Sequence, residues 1–397
     1  MIFKKGVIIF FLFFYYISNC SSHECSNLPK YDFFNIDLFG AFTYLNQNEN
    51  SFLEFITDKK NYFYELGVLS SFYFENNFSI HAQISKQGQE NLDIDFLLLK
   101  YSNFINTQFS YVIDIGKIRS NIGFLSLGRL NPNYRINIIL PQSLYSSNVK
   151  RFTSGGWGVS FTPTFIFENQ WGVTADFLIF KPGKSSDETL VNTFYGPPVS
   201  GTYDTGIGFM IKTQLFSPID TYNYYYLCVY ATNGVFKPSG LPFSKNYDQD
   251  IMLNQIGFRY KINKLNWLIE LRYLLTWNDF YEDIGDTKRQ DTLGFNTMVR
   301  YWFNKKIVAT LFGYSYWTDK AGDWDGQKKS ELLGTNKYAH IQHDFYTTLT
   351  YKFNKNINFK LEYHKMLGTA VVNGESNDML TLPNNWDIVA LQMCFNF

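Results

Sequence analysis

The sequence predicts an all-β fold, a transmembrane antiparallel β-barrel of about 16 strands, and three observations lead there. Segments of about ten residues alternate apolar and polar side chains, the period of a strand with one greasy and one wet face. The connections between these segments are alternately short and long, as in barrels with periplasmic turns and outer loops. The composition is 19% aromatic, with 29 Tyr and 40 Phe, yet the mean hydropathy is only -0.19. A helical membrane protein needs runs of about 20 apolar residues. No such run follows the N-terminus.

The chain opens with Lys4 and Lys5, then the apolar run Val7 to Ile17, then Ser18, Asn19, Cys20, Ser21 and Ser22. That is the pattern of a secretory signal peptide, too short to act as an anchor. We expect residues 1–22 to be cleaved, 23–32 to form a short periplasmic segment, and 33–397 to form the barrel. Asn19 before Cys20 is a poor fit to a lipoprotein processing site. Cys25, Cys228 and Cys394 match no metal or disulfide framework and read as isolated thiols.

Strands are predicted at 33–45, 61–74, 78–86, 92–101, 107–118, 156–166, 170–181, 203–215, 222–232, 250–262, 265–276, 291–303, 306–316, 341–353, 356–366 and 385–397. The clearest alternation is Ile357, Phe359, Leu361 and Tyr363 against Asn358, Lys360, Glu362 and His364. Short turns such as Glu75-Asn76-Asn77, Asn263-Lys264, Asn304-Lys305 and Asn354-Lys355 alternate with longer loops, so both termini fall on one side. Aromatic residues gather at strand ends, as interfacial girdles do: Trp171, Tyr222, Tyr224, Trp267, Trp302 and Phe353 by the short turns, Trp157, Trp277, Trp317 and Trp386 by the long loops. The last strand alternates Val389, Leu391, Met393 and Phe395 with polar or small residues and stops on Phe397.

Between the fifth and sixth strands lies the stretch 119–155, which has no clear period. Structureless runs this long are uncommon unless functional. From Ile115 to Phe167 the charged residues are Lys117, Arg119, Arg129, Arg135, Lys150 and Arg151, with no Asp or Glu. Folded inward, this loop would form a constriction in which Arg119, Arg129, Arg135, Lys150 and Arg151 favour anions. The same cations could instead contact lipopolysaccharide phosphates or solvate a surface loop. The alternation also places Asp37, Asp93, Asp95, Asp114, Asp176, Lys212, Arg259, Lys261, Glu270, Arg272, Arg300, Asp344, Lys352, Lys360, Glu362 and His364 toward a wet lumen. Of these, Asp93, Asp95, Asp114, Arg259, Glu270, Arg272, Arg300, Lys360 and Glu362 are the candidate pore-lining set. Selectivity in a pore is set by its width and by such charges.

The alternating terminal strand with its final aromatic, Phe397, resembles the assembly signal of Gram-negative outer-membrane barrels. The strand count, with the longest loop after the fifth strand, resembles the general porins. Ile136 to Tyr145, followed by Lys150-Arg151, is similar to a stretch in a group of proteobacterial porin-like proteins. The resemblance implies a bacterial outer-membrane channel for passive diffusion of small hydrophilic solutes and ions. It also implies contact with outer-membrane lipid, lipopolysaccharide and the barrel-assembly machinery, and a homotrimer. The loop lacks the family's acidic Pro-Glu-Phe-Gly-Gly type motif, so cation preference does not carry over. The loop at Gln87 to Asn91 is short where the family's straps a neighbouring subunit, which weakens the trimer expectation.

Other functions fit less well. A formal net charge of zero gives no footprint for nucleic acid. The acidic runs 279–290 and 319–331 match no calcium-loop spacing, and we expect no metal or other cofactor. His340, His343 and Asp344 sit together near a strand end but lack a nucleophile with a recognisable motif, so we expect no enzyme. A substrate-specific transport barrel with a plugged lumen, or an adhesin-like barrel, remains the alternative. A plug would have to come from Ser21 to Asp32, which is too short.

Overall fold

The computed structural model describes residues 33–47, 62–74, 76–88, 92–120, 122–125, 131–145, 155–182, 201–217, 224–238, 246–278, 289–333, 336–370 and 384–397. The expected signal peptide and the segment 23–32 lie outside the described residues, as do Arg129, Lys150, Arg151, Tyr222, Cys20, Cys25 and most of the acidic run 279–290.

The described residues form a closed barrel of sixteen strands. They are β1 (Phe34–Gln47), β2 (Tyr62–Tyr73), β3 (Phe78–Gln87), β4 (Asp93–Phe104), β5 (Phe109–Ile118), β6 (Gly156–Ile166), β7 (Gly172–Pro182) and β8 (Gly201–Phe216). The ring continues with β9 (Tyr224–Pro238), β10 (Tyr247–Ile262), β11 (Leu265–Asn278), β12 (Arg289–Trp302), β13 (Ile307–Thr318), β14 (Ile341–Lys352), β15 (Ile357–Gly368) and β16 (Asn385–Asn396). Each strand pairs antiparallel with its sequence neighbours, and β1 pairs with β16. Closure removes the free edges that would otherwise invite aggregation. At the seam, Leu38 and Phe397 exchange both backbone hydrogen bonds at 2.8 Å, so the last residue helps to close the ring. Two short helices, α1 (Gln142–Tyr145) and α2 (Gln327–Leu333), and a 3-10 turn at Lys337–Ala339 complete the described elements.

Asparagine makes the tight turns. Asn106, Asn304 and Asn354 each accept two backbone N–H groups through Oδ1, the last two at 2.8 to 2.9 Å. A short amide side chain imitates a turn of backbone in this way. Asn76 and Asn77 both have positive φ, 62° and 69°, which suits a right-twisted two-residue hairpin.

The two faces of the wall differ as period 2 requires. In β16, Val389, Leu391 and Met393 are exposed on the outside, while Ile388, Ala390, Gln392 and Cys394 are buried inside. The interior is not uniformly wet, however. Leu178, Phe180, Met210, Tyr226, Tyr230, Ile251 and Leu253 form one buried apolar cluster on its inner face. Trp317 and Trp386, expected in a girdle, point inward and are each 2% exposed. Their indoles donate to Asp319 Oδ1 (2.9 Å) and Gly368 O (3.1 Å). Tyr224 likewise packs inward, against Phe124. The reason is that the β5–β6 connection brings its own apolar residues into the barrel. β9 also runs on to Pro238, beyond the alternating stretch that marked it, because β8 and β10 continue beside it as far as Gly201 and Tyr247.

Candidate functional site: a clamped inner segment and the recess beside it

The described parts of 119–155 fold inward and are not structureless. Asn131 begins a turn in which Pro132 holds the second position and the Asn131 carbonyl accepts from Tyr134 N (3.1 Å) and Arg135 N (3.2 Å). Further on, Pro141 O accepts from Leu144 N and Tyr145 N, which closes the single turn of α1.

Three carboxylates from three separate wall strands receive this segment. Glu65 of β2 forms a buried ion pair with Arg135 and accepts Gln87 Nε2 at 2.9 Å. Glu270 of β11 accepts Phe124 N (2.7 Å), Tyr145 Oη (2.8 Å) and Tyr226 Oη (2.8 Å). Glu362 of β15 accepts the consecutive amides of Ile138 and Ile139, both at 2.8 Å. Its Oε1 also meets His364 Nε2 at 2.7 Å, and the other ring nitrogen of His364 meets Asp344 at 2.8 Å. Hydrogen bonds to a buried carboxylate contribute about 1.5–3 kcal/mol each, more than neutral pairs. Lys360 adds a cationic grip on the turn, donating to Pro132 O (2.5 Å) and Arg135 O (2.8 Å). Burial and the Glu270 carboxylate push the Tyr145 hydroxyl well above the usual tyrosine range, so it stays a donor.

Apolar packing completes the clamp. Ile138 and Ile139 fill a cluster with Leu45, Phe63, Met366, Trp386, Ile388 and Ala390. Leu125, Leu140, Leu144 and Tyr145 fill a second with Leu268, Met298 and Tyr346. Each fully buried Leu or Ile contributes about 1.5–3 kcal/mol. The segment therefore lies against the arc from β9 through β16 to β2. Along the opposite arc, β3 to β8, a recess of about 260 Å³ is left.

The candidate residues divide between these regions. Arg119 lines the recess, its guanidinium 5.3 Å above the Phe96 ring. Arg135 is only 7% exposed and spends its charge on Glu65, so it does not face an aperture. Glu270, Arg272, Lys360 and Glu362 are on the inner face, but none is more than 4% exposed. They touch the segment or one another rather than open lumen; Arg272, for example, donates from Nε to Gln255 Oε1 at 2.9 Å. Arg259 and Arg300 are half-buried, bonded to Asn266 Oδ1 (3.4 Å) and set over the Trp302 ring (5.2 Å) respectively.

β4 departs from the expected facing. Phe96, Leu98 and Lys100 point inward, and Leu97 and Leu99 are the exposed residues. Asp95 reaches Gln83 Nε2 (2.7 Å) because a register shift opposite Gln83 and Ile84 inserts it as an extra residue. A bulge re-aims one side chain in this way. Asp93 sits at the strand start with its side chain 75% exposed, 3.3 Å from Lys117. Asp114 lines the recess.

The His340, His343 and Asp344 grouping does not assemble. His340 pairs with Asp319, His343 with Tyr314 and Asp344 with His364. Asp319 and Asp323 are buried in their own loop, and among the described residues no three metal-ligating side chains converge.

Glu65, Tyr145 and Tyr226 escaped the sequence reading. Glu65 was within reach, since Tyr62, Tyr64 and Leu66 alternate around it and leave it on the inner face. Nothing in the sequence marks Tyr145 as the partner of a residue 125 positions away.

No family model matches the sequence, and no curated protein matches it. Solved structures do. OmpT of Vibrio cholerae, outer-membrane expressed, superposes with a TM-score of 0.54 at 11% identity, over 94% of this chain and 100% of that one. OprB of Pseudomonas putida gives 0.55 at 9% identity, over 92% and 94%. An anion-selective porin from Comamonas acidovorans covers 92% of this chain at 9% identity, with a TM-score of 0.49. The fold is one that outer-membrane barrels use. At such identities the likeness extends to the fold alone.

Proposed function

We propose that this chain is an outer-membrane channel for small hydrophilic solutes, with the inner segment as its constriction and the β3–β8 arc as its path. The observation that carries the reading is the three-carboxylate clamp, which holds the segment to one side of a closed barrel and leaves the recess on the other. The outward faces supply the apolar band that such a barrel presents to lipid, and the inner charges suit a wet path. The clamp makes the path narrow and selective rather than a wide general pore. The anion preference suggested by the sequence loses its support among the described residues, since Arg135 is neutralised by Glu65 and Arg119 shares the recess with Asp114 and Asp176. Assembly as a homotrimer stays part of the proposal, as the resemblance implies it.

Single-channel recording on the refolded protein tests this. The native channel gives small, uniform steps, and Glu362→Gln, which weakens the hold on Ile138 and Ile139, gives larger or flickering ones. A barrel that conducts in neither form, while folded by circular dichroism, overturns the reading in favour of an adhesive or structural barrel. The reversal potential in a salt gradient decides ion preference: weak selectivity is expected from the balanced recess, and strong selectivity of either sign counts against that recess as the path.

A further inference from the structure

The charges lining the recess are balanced: Lys100 and Arg119 against Asp114 and Asp176. Opposite charges also lie close together, with Lys100 Nζ 3.9 Å from Asp114 Oδ1. That oxygen is beyond hydrogen-bond reach of any partner among the described residues, and so is Nη2 of Arg119. Other inner-wall groups, Arg272 Nη1 and Asp344 Oδ2 among them, are also left over, but Asp114 and Arg119 are the ones that line the recess. The remaining wall is apolar, with Phe96, Leu98, Leu178 and Met210 beside the charges. A volume of about 260 Å³ falls just below that of drug-sized pockets, roughly 300–1,000 Å³, and suits a small metabolite.

From this we infer that the recess is a binding site for small zwitterions that carry an apolar side chain, the chemistry of a neutral α-amino acid. The ligand's carboxylate meets Arg119 and Lys100, and its ammonium meets Asp114 and Asp176. The side chain rests on Phe96, Leu98, Leu178 and Met210. A net-neutral lining gives no advantage to a simple anion or cation, whereas adjacent opposite charges match a ligand whose own charges are one carbon apart. The inference deepens the channel reading and names the solute class that its path selects.

The test is calorimetric titration of the folded barrel in detergent with L-leucine, with 4-methylpentanoate (the same skeleton without the amine) and with 3-methylbutylamine (without the carboxylate). Leucine is expected to bind at least tenfold more tightly than either analogue. Asp114→Asn should remove the preference for leucine over the carboxylate analogue, and Arg119→Gln the preference over the amine. Equal binding of all three compounds, or no binding by the folded native protein, overturns the inference. Asp176→Asn serves as the second acidic variant if Asp114→Asn does not fold. Because binding is read without a membrane, leucine binding by a barrel that does not conduct would sink the channel reading and leave this site standing. Conductance with no effect of leucine would do the reverse.

Discussion

The two arcs of the inner wall obey the same alternating code and do opposite things with it. On the β9–β16–β2 arc, charged side chains are buried and spent: Glu65 on Arg135, Glu270 on Phe124 N and two tyrosines, Glu362 on two backbone amides. On the β3–β8 arc, Lys100, Asp114 and Arg119 border a recess instead. An inward charge is thus an anchor where the segment covers it and borders the recess where it does not. The difference is made by the segment, not by the strands.

That contrast can be broken or sharpened by substitution. The largest effect is expected at the Arg135–Glu65 pair. Arg135→Met leaves Glu65 buried without its counter-ion, and removing one member of a buried pair costs about 3–5 kcal/mol. Adding Glu65→Gln should recover most of that loss. The check is denaturant unfolding in lipid vesicles followed by tryptophan fluorescence, and equal destabilisation by the single and double variants would show that the pair is no anchor. A middle effect is expected for Tyr145→Phe, which deletes the donation to the buried Glu270 carboxylate, worth about 1.5–3 kcal/mol, and the acceptor of Leu125 N. It should also make the segment easier to cleave by added protease, and unchanged protection would count against the clamp. The smallest effect belongs to the other arc. Asp114→Asn keeps the shape and the contact with Ser160, so unfolding should shift by no more than about 0.5 kcal/mol. A large loss there would erase the distinction between the arcs.

The strands were legible because their signal is local. Alternation and the asparagine turns located all sixteen, most to within two or three residues, and short turns alternating with longer loops, Gln87 to Asn91 excepted, matched the even count of the closed ring. The period-2 alternation put Glu270, Arg272, Lys360 and Glu362 on the inner face. It could not tell covered from open, because cover comes from a segment more than 200 residues distant in the case of Glu362. β4 shows a second limit. A single inserted residue exchanges inside for outside, and Asp93, Ile94 and Asp95 carry no mark of where the bulge falls. The apolar interior cluster was hidden for a third reason: a Tyr or Leu on a wall strand looks the same in sequence whether it meets lipid or the Ile-rich insert.

Two of the three wall carboxylates hold main-chain amides, which every residue except proline supplies. A grip of that kind does not read side chains. Ile138 and Ile139 could be exchanged for other apolar residues without loosening Glu362, and new side chains could be grafted onto the edge facing β3–β8 while the backbone keeps its course. The barrel is in this respect a holder with a rewritable insert, in which a new inner surface requires no new fold.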